Sequence, residues 1–497
     1  MGNLILSLDQ GTTNSKAILF DENGDLASSY SRPMELSYPK AGWVEQTPQK
    51  IWETQLLTAR KALTQAKRYN GKIVVLAITN QRETTLLWDK QTLEPVSSAI
   101  VWQDRRSAGI CEELRKAGYS DLVRQKTGLV IDPYFSATKI RWLLDSSPKL
   151  RKRAERGELQ FGTVDTYLVS RLTKGSLHVT DHTNASRTML FDTKKLRWDD
   201  ELLTLFKIPP DILPEVNPSS GIIGEADEKF FGRKIPIAAL VGDQQASLFG
   251  HAAFRKGMTK NTYGTGCFLL SNTIERVAPP EGLLSTIAWS FGKNDTTYAL
   301  EGSILSAGAV IQWLVEGPHI LQKFGEFSEI ARKVQENEGV YFVPALTGLG
   351  SPHWDSEARG LIIGITRGTT KEHLVRAALE GICYQTKDVF GIMEDSINSK
   401  IRTLRVDGGL SASTFLMQFQ ANILGVPVET AGIRESTAFG AACLAGLAIG
   451  QWKNLRELEK LWKVDRKFVP RMSPKKRTEL YDRWKEAVHR SLKWAKY

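Results

Sequence analysis

Cysteine is scarce in this 497-residue chain, and long apolar runs are missing from it. The four cysteines, at positions 111, 267, 383 and 443, form neither a Cys-x-x-Cys pair nor the Cys/His spacing of a zinc site. We therefore expect neither a disulfide framework nor structural zinc, and the chain suits a reducing compartment. No stretch reaches the roughly 18 uninterrupted apolar residues of a membrane span. The first twenty residues also lack the charged start and apolar block of a signal peptide. These absences predict a cytoplasmic protein without a membrane partner.

The positive charge is unevenly distributed along the chain. The formal net charge is +11, but residues 451–497 contain 15 Lys/Arg against 6 Asp/Glu and so hold nine of these charges. This tail also has apolar residues at helical spacing, namely Leu480, Trp484, Val488 and Leu492. The spacing predicts a helix packed on the body of the protein with a solvated basic face. Because the remainder of the chain is close to neutral, we do not expect a nucleic-acid partner.

The order of predicted elements occurs twice. A strand at 4–8, a short loop and a strand at 15–20 open the chain, and helices alternating with apolar strands such as 73–78 follow. A strand at 258–263, a Gly/Thr loop and a strand at 267–270 repeat this beginning, followed by a predicted helix around 303–315 and a strand at 401–406. The repetition predicts two related α/β domains with mixed sheets, residues 1–252 and 253–497, whose hairpin loops face each other across a cleft.

Three glycine-containing loops at strand ends are candidates for binding phosphate. The first follows Asp9 and contains Thr12, Thr13 and Asn14; the others are Gly264-Thr265-Gly266 and Asp407-Gly408-Gly409. Glycine lets the backbone approach an anion, and successive N–H groups can cradle its oxygens. Asp9 could hold Mg²⁺ through water. Each loop alone could equally be a polar turn, and no Walker or kinase-type glycine motif is present. Together the three loops favour an actin-like ATPase cleft.

A second group of residues is suited to a small polyol. Arg82 and Glu83 follow the apolar strand 73–78 and could donate to and accept from neighbouring hydroxyl groups, although a surface ion pair is the simpler interpretation. Trp102 and Phe268 could form an apolar wall or belong to the core. Tyr134 offers a phenol hydrogen bond.

Asp243 is the candidate general base. It ends the apolar strand 235–241, with Gly242 before it and Gln244 after it. Phosphoryl transfer to an alcohol uses a carboxylate near the hydroxyl group. The same residue could instead cap the helix that follows, and the two roles are compatible.

At these residues the chain resembles the FGGY carbohydrate kinases. The similarity extends from the first strand to about residue 450 and includes segments 9–15, 42–46, 78–85, 100–106, 132–134, 164–190, 242–245, 261–268, 345–352 and 406–409. It implies a ribonuclease-H-like (actin/Hsp70-like) fold in each half and closure of the cleft around ATP. The implied reaction is ATP-dependent phosphorylation of a small polyol. Glycerol is the favoured acceptor and sn-glycerol 3-phosphate the product; another polyol or a pentulose is the alternative. A nucleotide switch of the same fold would not need the pairs Arg82-Glu83 and Asp243-Gln244.

The resemblance also implies roles for individual residues. The expected acceptor contacts are Arg82, Glu83, Tyr134, Asp243 and Gln244, with Asp243 also the base and with Trp102 and Phe268 as the apolar wall. The expected nucleotide contacts are Thr12, Thr13, Asn14, Lys16, Thr265, Gly308, Gln312, Gly409 and Ser413. Asp9 and Asp243 are the expected Mg²⁺ ligands.

Three positions depart from the family pattern. Lys16 stands where an arginine is usual, so a compact ammonium charge replaces a planar guanidinium group with several donors. Ser413 stands where an asparagine is usual, so the hydrogen bond at the adenine end is in doubt. Segment 225–233 lacks the Gly/Arg-rich loop that binds fructose 1,6-bisphosphate in regulated bacterial relatives, so inhibition by this compound is not expected. We also expect a homo-oligomer.

Overall fold

The computed structural model describes residues 2–66, 71–433 and 435–495. Its first half contains the strands β1 (Asn3–Gln10), β2 (Asn14–Phe20), β3 (Leu26–Pro33), β4 (Glu45–Gln46), β5 (Lys72–Asn80), β6 (Leu86–Asp89), β7 (Ala99–Ile100), β8 (Leu159–Gly162), β9 (Val179–Asp181), β10 (Phe191–Asp192), β11 (Arg197–Trp198), β12 (Glu215–Asn217), β13 (Ser220–Ala226) and β14 (Ile235–Gly242). The helices of this half are α1 (Pro48–Ala66), α2 (Ala108–Lys116), α3 (Ser120–Thr127), α4 (Ser136–Asp145), α5 (Pro148–Glu155), α6 (Val164–Leu172), α7 (His182–Ala185), α8 (Asp200–Phe206), α9 (Glu228–Phe231) and α10 (Asp243–Gly250).

The second half has the strands β15 (Thr259–Tyr263), β16 (Cys267–Ile274), β17 (Leu284–Gly292), β18 (Asp295–Ile304), β19 (Tyr341–Val343), β20 (Leu361–Ile363), β21 (Leu404–Asp407), β22 (Val428–Ala431) and β23 (Val464–Phe468). Its helices are α11 (Gly308–Glu316), α12 (Phe327–Ala331), α13 (Lys371–Ile397), α14 (Thr414–Leu424), α15 (Ser436–Ala448), α16 (Leu455–Leu461) and α17 (Pro474–Ser491). Short 3₁₀ turns lie at 210–212, 324–326 and 409–412.

Each half is organised around one large mixed sheet. The first sheet has the order β3-β2-β1-β5-β14-β13, and the second has the order β17-β18-β16-β15-β21-β22-β23. In both, an antiparallel hairpin (β1–β2 or β15–β16) is extended by two parallel strands on the side of its first strand. We call the two parts the N-lobe and the C-lobe. The shared strand order confirms that the predicted arrangement of elements occurs twice.

The parallel strands are almost wholly apolar where they are covered on both faces. Strand β14 is buried along nearly its whole length, and β5 is buried from Val75 to its end. The helix predicted around 303–315 begins at Gly308, because residues 303 and 304 still belong to β18. That long strand was missed because its sequence mixes small, polar and aromatic residues.

Helices α10 and α15 cross between the lobes. α15, from the second half of the chain, packs on strands β1, β5 and β14 of the first sheet, whereas α10 packs on α15 and on β17. Two glycines allow the close crossing: a Cβ atom on Gly440 would collide with the Ala246 carbonyl, and one on Gly250 with the Ser436 carbonyl. At this crossing the backbones of the two helices are in direct contact, an arrangement that is suited to a hinge.

The part of the basic tail with apolar residues at helical spacing forms α17, as predicted, except that Leu492 follows its last residue. Trp484 and Val488 are buried in the core of the C-lobe, and the Trp484 indole donates a hydrogen bond to the Asp388 carboxylate at 2.9 Å. All four cysteines are free and buried. Within the described ranges, no helix combines the length and apolar character that a membrane crossing needs.

Candidate active site

Two cavities lie between the lobes and share part of their lining. The inner cavity has a volume of about 300 Å³, and the outer cavity, of about 800 Å³, adjoins it through Thr13, Tyr38, Gly264 and Thr265. The inner cavity brings together most of the predicted acceptor and phosphate residues: Thr12, Thr13, Arg82, Glu83, Trp102, Tyr134, Asp243, Gln244, Thr265 and Phe268. Gly308, Gln312 and Gly409 line the outer cavity.

Arg82 and Glu83 belong to a buried group of four charges. Arg82 donates to both carboxylate oxygens of Glu301, at 2.5 and 3.0 Å, and Arg187 donates to Glu83 at 2.6 Å and to Glu301 at 2.9 Å. None of the four side chains is more than 2% exposed. The interpretation of Arg82-Glu83 as a surface pair was therefore wrong. The two guanidinium groups balance the two carboxylates, as buried charges require.

The pKa values of the two carboxyl groups diverge within this charged group. Burial alone would raise the pKa of Glu301, but Arg187 and Arg82 outweigh it and hold that pKa at about 2. Burial raises the pKa of Glu83 above its ordinary value, since its contacts with Arg82 and Arg187 compensate less. Glu301 is therefore the permanent anion of the group.

The backbone at Glu83 is held in a conformation that non-glycine residues rarely adopt. Its φ is +60°, in the left-handed region that costs a residue with a side chain of order 1 kcal/mol or more. Three donors fix its carbonyl oxygen at 3.1 Å each: the hydroxyls of Thr85 and Ser136 and the ammonium group of Lys139. Glu83 lines the inner cavity in this conformation.

Asp243 stands at the junction of the cavity with the charged group. It is the first residue of α10, and its Oδ1 accepts a hydrogen bond from the Gln244 backbone N–H at 2.8 Å and lies 3.3 Å from Arg82 Nε. The helix cap itself is Gly242. Burial raises the pKa of Asp243, and the charges of Arg82 and Lys260 oppose this rise. About a quarter of its side chain, 26%, stays accessible, so the carboxylate can reach a ligand.

Aromatic rings form one wall of the inner cavity. The Trp102 ring packs edge-on against Tyr134 and Phe268, with centroids 5.6 and 5.8 Å apart. The Trp102 indole N–H donates to Thr12 Oγ1 at 2.9 Å, and the Tyr134 hydroxyl accepts from Arg82 at 3.3 Å. Trp102 and Phe268 thus line the cavity and also pack on the core.

The phosphate-loop candidates face each other across the two cavities. Thr12 and Thr13 lie in the β1–β2 turn, and Gly264-Thr265-Gly266 forms the β15–β16 turn. The N-terminus of α11 rests on the second turn, where Gly308 N–H donates to the Gly264 carbonyl at 2.9 Å. In the third loop, Gly408 has φ +87° and packs against the Tyr263 backbone, which leaves no room for a side chain.

The remaining predicted nucleotide residues lie outside the lining of both cavities. Asn14 donates to Thr13 Oγ1 at 3.2 Å, and Lys16 forms an ion pair with Glu435 at 2.7 Å. The Ser413 hydroxyl caps α14 by accepting from the Leu416 N–H at 3.1 Å. Lys16 is the cross-strand neighbour of Asp9 in the β1–β2 hairpin. The ammonium charge of Lys16 therefore acts on the Asp9 carboxylate and does not enter a cavity.

The donor set at Asp9 fits a magnesium ion. Burial raises the pKa of Asp9 to about 7; Lys16 opposes this rise, and the nearby carboxylates Glu435 and Asp243 add to it. Among the described residues no donor hydrogen-bonds the Asp9 carboxylate, and no group of three or more His, Cys, Asp or Glu forms a complete metal cage. Carboxylate oxygens without a hydrogen-bond donor are ligands that Mg²⁺ prefers, and it usually keeps several waters beside one or two of them.

Sequence reasoning missed four residues of the site. Arg187 and Glu301 complete the buried charges, Gln245 accepts from Arg82 at 3.3 Å, and Lys260 donates to Gln244 at 2.5 Å. None lies in a glycine loop, and a charged residue inside a strand usually indicates a solvated face. The only local signal for any of the four was that Gln245 directly follows the predicted pair Asp243-Gln244.

Comparison with known proteins agrees with this geometry. The N-terminal domain of the FGGY family of carbohydrate kinases matches residues 4–250, and the C-terminal domain of that family matches residues 259–449. The chain belongs to the FGGY carbohydrate kinase family. This confirms the resemblance and the actin/Hsp70-like fold, with one ribonuclease-H-like unit in each lobe.

Several relatives of this FGGY kinase are similar over their full length. It is 56% identical over 493 residues to glycerol kinase 2 of Thermotoga maritima, covering 99% of each chain. It is 52% identical over 497 residues to the glycerol kinase of Caldanaerobacter subterraneus subsp. tengcongensis, covering all of both. Among solved structures, the glycerol kinase of Plasmodium falciparum with ADP has a TM-score of 0.91 at 36% identity, over 99% of this chain and 98% of that one. The gluconate kinase of Lactobacillus acidophilus has a TM-score of 0.86 at 25% identity, over 98% and 97%.

Proposed function

We propose that this FGGY kinase transfers the γ-phosphoryl group of ATP to glycerol and forms sn-glycerol 3-phosphate and ADP. The observation that carries the proposal is the meeting of Asp243 with the Arg82–Glu83 pair in an inner cavity of about 300 Å³ that adjoins two Gly/Thr loops. The names of its full-length relatives at 52–56% identity support the same acceptor.

The inner cavity suits a short polyol. Arg82 offers donors and Glu83 offers acceptors, both fixed by buried partners, so neighbouring hydroxyl groups can be bound without reorganisation of the side chains. The wall of Trp102 and Phe268 covers the carbon side. A site that hydrogen-bonds each hydroxyl discriminates strongly against molecules that lack one.

Asp243 is the proposed base. As the acceptor oxygen bonds to the γ-phosphorus, the bond from phosphorus to the bridging oxygen of ADP breaks, and the hydroxyl proton passes to the Asp243 carboxylate. Thr12, Thr13 and Thr265 would contact the phosphates, and Gly308, Gln312 and Gly409 the rest of the nucleotide in the outer cavity. Lys16 would contribute its charge through Asp9. Asn14 and Ser413 would support the loops rather than touch ATP.

Asp9 and Asp243 would hold Mg²⁺, which when bound neutralises phosphate charge. The transition state of phosphoryl transfer is loose, so positioning and charge neutralisation contribute more than the base. The two lobes would close to exclude water from the phosphoryl group.

Substitution of the base tests the proposal. Asp243→Asn should keep the melting temperature close to that of the wild type and lower kcat by about 10²–10⁴, the usual effect of losing a general base. A coupled assay of ADP release with glycerol measures this. Near-normal turnover of the purified variant would eliminate the assignment of Asp243.

An acceptor panel tests the substrate. Glycerol should support turnover far better than xylulose, ribulose or gluconate, and ATP hydrolysis without an acceptor should be slower still. A side cavity of about 480 Å³ shares Tyr38, Trp102, Gln103 and Tyr134 with the inner cavity and could admit a longer acceptor. A preference for a pentulose would therefore indicate that the acceptor extends into this side cavity.

A further inference from the structure

A buried lysine joins the two lobes next to the proposed base. Lys260 lies on β15 of the C-lobe and has no exposed surface. Its ammonium group donates to Gln244 Oε1 at 2.5 Å and to Thr262 Oγ1 at 2.8 Å. Gln244 belongs to α10, which continues from the N-lobe sheet, so this contact crosses the cleft.

The partners of Lys260 distinguish it from a lysine that only supports the fold. Lys139 is equally buried, but it donates to the backbone carbonyls of Glu83 and Tyr134 and so fixes main chain. Lys260 donates only to side chains among the described residues, and both of these side chains line the inner cavity. A buried ammonium group is retained against its desolvation penalty only with suitable partners.

The surrounding charges keep Lys260 cationic at the site. Burial lowers the pKa of Lys260 to about 8, and the carboxylates of Asp407, Asp243 and Glu301 oppose this fall, whereas Arg82 adds to it. Asp407 precedes the third glycine loop, and Asp243 is the proposed base. The charge of Lys260 is thus favoured by a carboxylate of the acceptor side and by a carboxylate of the nucleotide side.

A donor on Gln244 Oε1 determines which way that amide points. With its oxygen held by Lys260, the amide nitrogen of Gln244 is directed to the other side and lies 3.4 Å from Asp243 Oδ2. An amide nitrogen there can donate to an acceptor oxygen beside the base. A rotated amide would instead present a second oxygen to the Asp243 carboxylate, which is unfavourable.

We propose that Lys260 is a positioning residue for the phosphoryl acceptor: it fixes the Gln244 amide so that its N–H groups face the acceptor hydroxyl and Asp243. The inference rests on the proposed function, since it assigns Gln244 to the acceptor. It adds a second charged residue of the C-lobe, besides Glu301, to an acceptor site whose other charged residues come from the N-lobe.

A double-mutant cycle tests this inference. Lys260→Met, Gln244→Ala and the double variant are compared with the wild type by kcat and by the KM values for glycerol and for ATP. Because hydrogen bonds to charged groups are among the stronger ones in proteins, Lys260→Met should lower kcat/KM for glycerol roughly 10- to 100-fold. The KM for ATP should change less than about twofold, and Lys260→Met should have little further effect in the Gln244→Ala background.

Two further variants separate positioning from folding. Lys260→Gln keeps an N–H donor and should recover part of the lost kcat/KM. If Lys260→Met does not fold, the cycle is measured with Lys260→Ala, which also removes the donor. Lys387→Met removes a partly buried lysine on α13, outside both cavities, and should leave kcat/KM for glycerol unchanged. Melting temperatures are recorded for every variant.

Each outcome has one meaning. A loss that is confined to glycerol parameters and is absent in the Gln244→Ala background supports the inference. An additive loss, an equal rise in the KM for ATP, or wild-type kinetics in Lys260→Met would overturn it, while Asp243→Asn would still show whether the proposed reaction holds. A wild-type enzyme that does not phosphorylate glycerol would reject the proposed function itself.

Discussion

Removal of the charge of Glu301 should both destabilise the protein and weaken acceptor binding. Glu301 is fully buried on β18 and binds Arg82 and Arg187 through three contacts of 2.5 to 3.0 Å. Glu301→Gln leaves two guanidinium groups facing an amide, with only Glu83 and the partly accessible Asp243 as counter-charges. Loss of one partner from a buried ion pair costs about 3–5 kcal/mol, because the other charge stays buried and unbalanced.

The catalytic consequence follows from the position of Arg82. Without Glu301, the remaining partners of Arg82 among the described residues are Gln245, Tyr134, Glu83 and Asp243, and its guanidinium group should be drawn towards the base. The KM for glycerol should therefore rise by at least tenfold, whereas the KM for ATP should change little. Urea unfolding followed by circular dichroism measures stability, and the coupled ADP assay measures both KM values.

The pH dependence gives an independent check of the same charge. The pKa of Glu301 is about 2 in the folded protein and 4.5 for an ordinary glutamate. Its ionised form therefore stabilises the fold fully above about pH 4.5, and this contribution is lost as pH falls towards 2. The stability difference between the wild type and Glu301→Gln should be constant from pH 6 to 8 and shrink below pH 4.5.

An exposed ion pair provides the matched control. On α17, Glu486 Oε2 lies 3.1 Å from Arg490 Nη1, and the two side chains are 72% and 51% exposed, respectively. Glu486→Gln should change stability by no more than about 0–1 kcal/mol, as usual for surface pairs. If Glu301→Gln is no more destabilising than Glu486→Gln, the buried contact of Arg82 with Glu301 does not stabilise the fold.

Two other predictions concern the hinge and the metal site. Gly440→Ala should lower stability by about 1–3 kcal/mol through overpacking at the α10–α15 crossing and should reduce kcat. Gly391→Ala on α13, where the space around the Cβ position is open, is the control and should be neutral or stabilising. Equal melting temperatures of the two variants would contradict the close crossing. Because burial raises the pKa of Asp9 to about 7 and Mg²⁺ needs the ionised form, kcat/KM should fall as pH decreases below 7. More Mg²⁺ should move this fall to lower pH, and a profile that is flat to pH 5 at low Mg²⁺ would argue against Asp9 as a ligand.

The sequence predicted those parts of the fold and site that have a local signature. The apolar runs that become β5 and β14, and the Gly/Thr turns between hairpin strands, are visible as patterns of a few residues. Asp243 was found because it ends such a run. The repeat of the hairpin was recognised for the same reason, since both copies place a Gly/Thr turn between two strands.

Residues that depend on tertiary contact could not be predicted in the same way. Glu301 sits in a strand whose mixed composition hides it, and its partners are 219 and 114 positions away in the chain. Lys260 looks like an ordinary charged strand residue until the crossing of the lobes buries it. The conformation of Glu83 likewise depends on donors from α4 that no local pattern indicates.

The buried polar contacts predict that closure of the lobes and assembly of the acceptor site occur together. Arg82 meets Glu301 across the cleft, Gln244 meets Lys260, and the Ser247 hydroxyl donates to Asp407 at 2.9 Å. If the lobes separated, each of these groups would lose its partner, and Arg82 and Gln244 would no longer be fixed for an acceptor. The contacts that would exclude water from the phosphoryl group therefore also orient the acceptor hydroxyl. A partly open cleft should accordingly bind glycerol weakly.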